Sequence, residues 1–143
     1  EKSTVVTVDC PDHPGKITVF EVFRHKTTLI PHIEDGQIYY TLHIDMLGNL
    51  GESQCAKQHN IMDIREVQEV EEAVGEEVKR NVLYTLYQYQ HLKIDGSIFG
   101  KKLSIHEPLI WEQVKERWND EIFPHIPLYI SVHVGIENIG VHK

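Results

Sequence analysis

The 143 residues include 14 Lys and Arg against 22 Asp and Glu, a formal charge of −8, with 41% hydrophobic and 25% charged residues. The scattered cations exclude the clustered basic face that a nucleic-acid backbone requires. The apolar runs fall far short of the roughly 20 residues of a membrane-spanning helix, and the composition is globular rather than disordered. A chain of this length buries roughly 68–70% of its unfolded surface, so residues 1–143 are expected to form one monomeric domain that folds without a metal or a disulfide.

The chain opens at Glu1 without an initiator methionine, a charged n-region or an apolar h-region, and reads as a fragment whose signal peptide lies outside it or has been removed. Residues Thr4 to Val8 alternate briefly, and Pro11-Asp12-His13-Pro14-Gly15 interrupts them as a turn or linker. Lys16 to Arg24 is rich in β-branched and aromatic residues and apolar on both sides, predicting a strand covered on both faces. The two cysteines, Cys10 and Cys55, have no C-x-x-C spacing; each reads as a buried or half-buried free thiol, a mutual disulfide remaining open.

Asp35-Gly36 between two β-rich runs predicts a tight type I′ hairpin. A two-residue turn sets Ile33 opposite Ile38, Pro31 opposite Tyr40 and Leu29 opposite Leu42, giving one apolar face that continues to Ile44. Pro31 removes a ladder donor and places its arm at a sheet edge or beside a bulge. Leu47-Gly48-Asn49-Leu50-Gly51 is expected to bend or end the second arm.

From Asp63 the period becomes helical. Asp63 and Glu66 form a D-x-x-E start, and Glu66, Glu69, Glu71 and Glu72 suit the positive end of the helix dipole. Val67, Val70, Val74, Val78, Val82, Leu86 and Tyr89 recur at three- and four-residue spacing as one buried stripe, with Gly75 on the polar side. Leu83, Tyr84 and Tyr87 predict a second half covered on more than one side, ending at Asp95-Gly96.

A short helical or looped piece spans Ser97 to Ser104, and Pro108 suits the first turn of a further helix that presents Ile110, Trp111, Val114 and Trp118 and stops at Phe123-Pro124. A last strand alternates Leu128, Ile130, Val132, Val134 and Ile136 against Tyr129, Ser131 and His133. The predicted class is α+β: an antiparallel or mixed sheet of four to five strands packed against a long α-helix and a shorter C-terminal helix.

No catalytic group emerges, because G-x-S-x-G, Walker and G-x-G-x-x-G patterns are missing and neither cysteine has a nucleophile signature. The ten histidines are dispersed; a metal site from His32, His43 and His133 is weighed against solvent-facing strand histidines, and no metal or cofactor is expected. The carboxylates of Glu66 to Glu77 read as a solvated helix face. Trp111 and Trp118, seven apart, share a helical face as core or as a partner contact. Ile98-Phe99-Gly100 either caps the long helix or protrudes as a docking loop, so Ile98, Phe99, Gly100 and Trp111 are the candidate partner-docking residues.

The order of these segments resembles the C-terminal domain of the Ger(x)C family. The stretch Val22 to Gly36 is similar to the family's K-x-x-[LI]-x-P hairpin, followed by Gly48-Asn49-Leu50. Next come the long helix, a D-x-[IFL]-G-like turn at Asp95 to Gly100, a W-x-x-[IVL]-K-x-x-W helix at Trp111 to Trp118, and the Ile122-Phe123-Pro124 stop. The resemblance implies a non-enzymatic C subunit of a spore germinant receptor, lipid-anchored on the outer face of the spore inner membrane through a segment outside this chain. Its implied partners are the A and B membrane subunits. The alternatives are an extracytoplasmic small-ligand-binding, nutrient-sensing domain and a histidine-based metal hydrolase.

Overall fold

The computed structural model describes residues 4–11, 13–53 and 63–139. In chain order the elements are β1 (Thr4–Cys10), β2 (His13–Glu34), β3 (Gln37–Ser53), α1 (Ile64–Leu92), α2 (Phe99–His106), α3 (Pro108–Val114) and β4 (Leu128–Ile139). They divide into two compact units, one of Glu1–Thr27, Ile44–Arg80 and Val132–Lys143, the other of Thr28–His43 and Asn81–Ser131. The class is α+β, as expected.

The four strands form one sheet in the order β1-β2-β3-β4. β1 runs antiparallel to β2, with Val6 opposite Phe20 and Val8 opposite Thr18. β2 and β3 form the expected hairpin: Asp35 and Gly36 have φ of 52° and 77°, the two positive values a type I′ turn needs. His43 meets Ser131 at 2.7 Å, Asp45 meets His133 at 3.7 Å, and the Leu47 side chain lies over Gly135. A step forward on β3 is therefore a step forward on β4. That pair is parallel, the sheet is mixed, and the helices supply the long crossover a parallel pair requires.

In the first unit, alternation along β1 and β2 sends Val8, Cys10, Phe20 and Val22 inward, where they meet Leu50, Val134 and the helical Val70 and Val74. The other face of the pair stays open, with Val5, Ile17 and Phe23 exposed, so the β2 strand is covered on one face and not on both. Cys10 is buried and disulfide-bonded, not a free thiol; Cys55 lies outside the described residues.

The two glycine readings in this unit also change. β3 continues through Gly48 because the glycine permits close packing: a Cβ there would stand 2.6 Å from the Phe20 ring and would collide with the Glu21 carbonyl. Gly75 is buried, not on a polar face, and rests against Val132 and Val134. The start of α1 is as read, with the Glu66 amide donating to Asp63 Oδ1 at 2.8 Å. Glu71 is more than a solvated carboxylate, since its Oε2 accepts the Ile136 amide at 3.1 Å.

In the second unit Tyr40, Leu86, Leu103, Val114, Trp118, Phe123 and Ile126 form the core, joined by Leu29, Ile33 and Ile38 from the apolar hairpin face. The described β1 pairing ends at Val22, so Pro31 further along β2 sits at a locally open edge, where its missing amide hydrogen breaks no ladder. The second half of α1 is not covered all round: Tyr84 and Tyr87 are 65% and 63% exposed. Pro108 occupies the first turn of α3, but the helix ends at Val114 and continues as a 3-10 turn (Lys115–Arg117), a π turn (Trp118–Ile122) and a second 3-10 turn (Phe123–His125).

Candidate functional site

The end of α1 and the turn after it organise the second unit. Lys93 takes φ 58°, its amide donates to the Gln90 carbonyl at 3.1 Å, and the Ile94 amide donates to Tyr89 at 3.0 Å. These paired bonds close the helix in a Schellman cap, with lysine at the left-handed position that glycine usually takes. The chain then reverses through Gly96 and Ser97, both at positive φ.

Asp95 enters the interior at this point. Its Oδ1 accepts the Phe99 amide at 2.9 Å, and its Oδ2 accepts both the Gly100 amide at 2.6 Å and Trp118 Nε1 at 2.8 Å. A buried carboxylate is tolerated because three donors replace its water. Tyr40 reaches the same turn and donates its hydroxyl to the Phe99 carbonyl at 2.6 Å. Burial, and secondarily the charge of Asp95, push the Tyr40 phenol above its ordinary range. Gln90 completes the frame, its Nε2 donating to Phe123 and Ile126 carbonyls at 3.0 and 2.9 Å.

This turn forms a wall between two concavities. On one side an apolar groove of about 370 Å³ is lined chiefly by Leu29, Leu42, Val82, Leu86, Ile98 and Phe99. The other side is a more polar cavity of about 560 Å³, whose walls include Gly100, Lys101, Trp111 and Lys115. The four residues singled out from sequence are thus divided. Ile98 is 54% exposed at the groove. Phe99 does not protrude; its ring packs edge-on to Tyr40 at 4.9 Å and against Phe123 at 5.6 Å. Gly100 is buried under the Trp111 ring, where a Cβ would come within 2.8 Å. Trp111 is half-buried and meets Trp118 at 5.3 Å.

The histidines weighed as ligands are engaged in other ways. His32 bonds Thr41 Oγ1 at 2.8 Å and stacks on Tyr39, while His43 bonds Ser131. Among the described residues no three histidines, cysteines or carboxylates converge on a metal position. Also among the described residues, no helix is long and apolar enough to cross a membrane.

Residues 1–140 match the family described as spore germination B3/GerAC like, C-terminal. The chain belongs to this family. Its relatives include, from Bacillus subtilis (strain 168), spore germination protein KC, 23% identical over 86% of this chain, and spore germination protein B3, 27% identical over 88%. The chain spans 30% and 33% of those two proteins. The crystal structure of the GerBC protein superposes on 95% of this chain and 41% of its own, with a TM-score of 0.80 at 23% identity, and so has the same fold.

The family is described by its part in germination and not by a reaction, which agrees with a site made of packing and hydrogen bonds. The sequence reading of this GerAC-like chain missed Asp95 as an interior anchor and Gln90 as a buried donor. An aspartate four residues ahead of a short helix was the available signal for the first, because that spacing lets a carboxylate reach free helix amides. Gln90 had none.

Proposed function

We propose that this chain is the C-terminal domain of the C subunit of a spore germinant receptor, acting in nutrient-triggered germination by contact with the membrane-embedded A and B subunits. The observation that carries the reading is the apolar groove beside Ile98, in a chain of the GerAC-like family. Aliphatic and aromatic walls, with Ile98 exposed beside them, suit the apolar side chains of a protein segment. An amino acid or sugar would need convergent polar groups. The Asp95 carboxylate is already occupied by three donors, and the other polar lining residues, Asn81, Thr85 and Tyr89, all come from α1 and do not converge from opposite walls, so small-nutrient sensing in this groove is the weaker reading.

In this reading Ile98 touches the partner, Phe99 and Gly100 fix the wall that carries it, and Trp111 braces that wall from the opposite cavity. A lipid anchor outside this chain holds the subunit on the outer face of the spore inner membrane. The disulfide at Cys10 suits such an extracytoplasmic, oxidising location.

Ile98→Asp in the full-length subunit tests the proposal, because the exposed position tolerates a charge while an apolar contact does not. The expected outcome is at least a tenfold slower response to nutrient, with unchanged receptor level and unchanged germination by a trigger that bypasses receptors. A normal nutrient response at normal receptor level removes the groove as the docking site.

A further inference from the structure

The solvent-facing side of the β2–β3 hairpin in the second unit carries an aromatic corner that neither core uses. His32 lies flat on Tyr39, with ring centroids 4.8 Å apart and planes 13° apart. Tyr129 from β4 meets Tyr39 at 5.7 Å and 84°, so two tyrosine rings stand as walls at a right angle. The faces of such rings are electron-rich and attract cations.

A cavity of about 530 Å³ opens at this corner, and Glu34, Asp35, Gln37, Tyr39, Pro127 and Tyr129 contribute to its lining. The Tyr39 hydroxyl donates to Glu34 Oε2 at 3.3 Å, which holds a carboxylate beside the aromatic wall. Among the described residues no lysine or arginine lines the cavity to neutralise that charge. Tyr129 is 61% exposed and belongs to neither hydrophobic cluster, so packing alone gives no reason for an aromatic ring at this strand position.

We propose that this corner binds an organic cation, an ammonium or guanidinium group seated on the faces of Tyr39 and Tyr129 and balanced by Glu34 and Asp35. Two orthogonal π-faces with adjacent carboxylates are the chemistry that recognises such a group. The net charge of −8 favours its approach over that of an anion. The cation comes either from a free amine or from a lysine or arginine side chain of a protein. The site is independent of the Ile98 groove.

Amide chemical shifts of the 143-residue chain, titrated with butylammonium, with N-acetyl-arginine amide and with neutral butan-1-ol, test the proposal. Saturable shifts around Tyr39 and Tyr129 are expected with both cations and not with the alcohol. N-acetyl-lysine amide, added as a further probe, separates the sources: tighter binding of either amino-acid amide than of butylammonium identifies a protein side chain, and tighter binding of butylammonium than of both amides identifies a free amine. Tyr129→Leu, which keeps apolar bulk without an aromatic face, and Glu34→Gln should each weaken binding at least fivefold, with shifts elsewhere in the chain unaltered. Absence of saturable shifts with both cations, equal shifts with the alcohol, or undiminished binding by both variants would overturn the proposal.

Discussion

In the first unit the interior is aliphatic, with valines from three strands and a helix closing on Phe20 and Leu50, whereas in the second it is built from Tyr40, Trp118 and Phe123 around the polar Asp95 and Gln90. Aliphatic packing is non-directional and tolerates swaps that conserve volume. A core organised by a carboxylate with three donors does not, because each bond fixes an angle as well as a distance. The difference teaches where recognition can be placed: the groove and the aromatic corner both lie in the unit whose backbone is fixed by directional bonds.

The sharpest way to break this contrast is Asp95→Ala. Three donors, including the buried Trp118 indole, lose their acceptor, so a loss of more than about 3 kcal/mol is expected in urea melts. Exchange of the Phe99 and Gly100 amides should accelerate at the same time. Val74→Ala in the first unit should cost less, about 2 kcal/mol. Equal losses would mean that the polar frame adds nothing beyond packing.

Tyr40 offers a second, smaller handle through pH. Tyrosine in an unfolded chain titrates near 10, and the folded phenol is raised above that value. Its contribution is therefore complete below about pH 10 and is lost as pH rises through the folded value. Melts between pH 8 and 11 should show a steeper alkaline loss for the native chain than for Tyr40→Phe. Matching slopes would mean that the Tyr40 phenol ionises as readily in the folded chain as in the unfolded one, and that neither burial nor its bond to the Phe99 carbonyl holds the proton.

The smallest expected effect is a gain. Thr18 is fully buried in the aliphatic unit and its hydroxyl is without a partner among the described residues. Thr18→Val keeps the shape and removes the unsatisfied group, so stability should rise by about 1 kcal/mol. A loss in the same melts would reveal a partner for that hydroxyl, such as a buried water.

What could be read from sequence follows the range of the forces involved. The Asp35-Gly36 hairpin, the Asp63 helix start and the alternation of β4 were legible because turn chemistry, capping and strand period act over a few residues. Gly48 and Gly75 were misread, since a glycine that admits a neighbouring ring or strand looks the same in sequence as one that breaks or weakens an element. Exposure of Tyr84 and Tyr87 was missed because their ring type carries no mark of whether another element covers it. The wall of the candidate site was half legible: the turn at Ile98 to Gly100 stood out, but the Asp95–Trp118 bond joins residues 23 apart.

The parallel pairing of the third and fourth strands has a kinetic consequence. His43 and Ser131 are separated by 88 positions, and the long intervening segment must be brought round before β4 gains its ladder. The hairpin at Asp35-Gly36 and the helix from Ile64 need no such closure and are expected to form early. Because β4 contributes Leu128–Ser131 to one unit and Val132 onward to the other, both interiors stay unfinished until that strand arrives. A polypeptide emerging amino-terminus first would hold its valine stripe open until β4 is made, so its dependence on holding chaperones should end only after synthesis of β4.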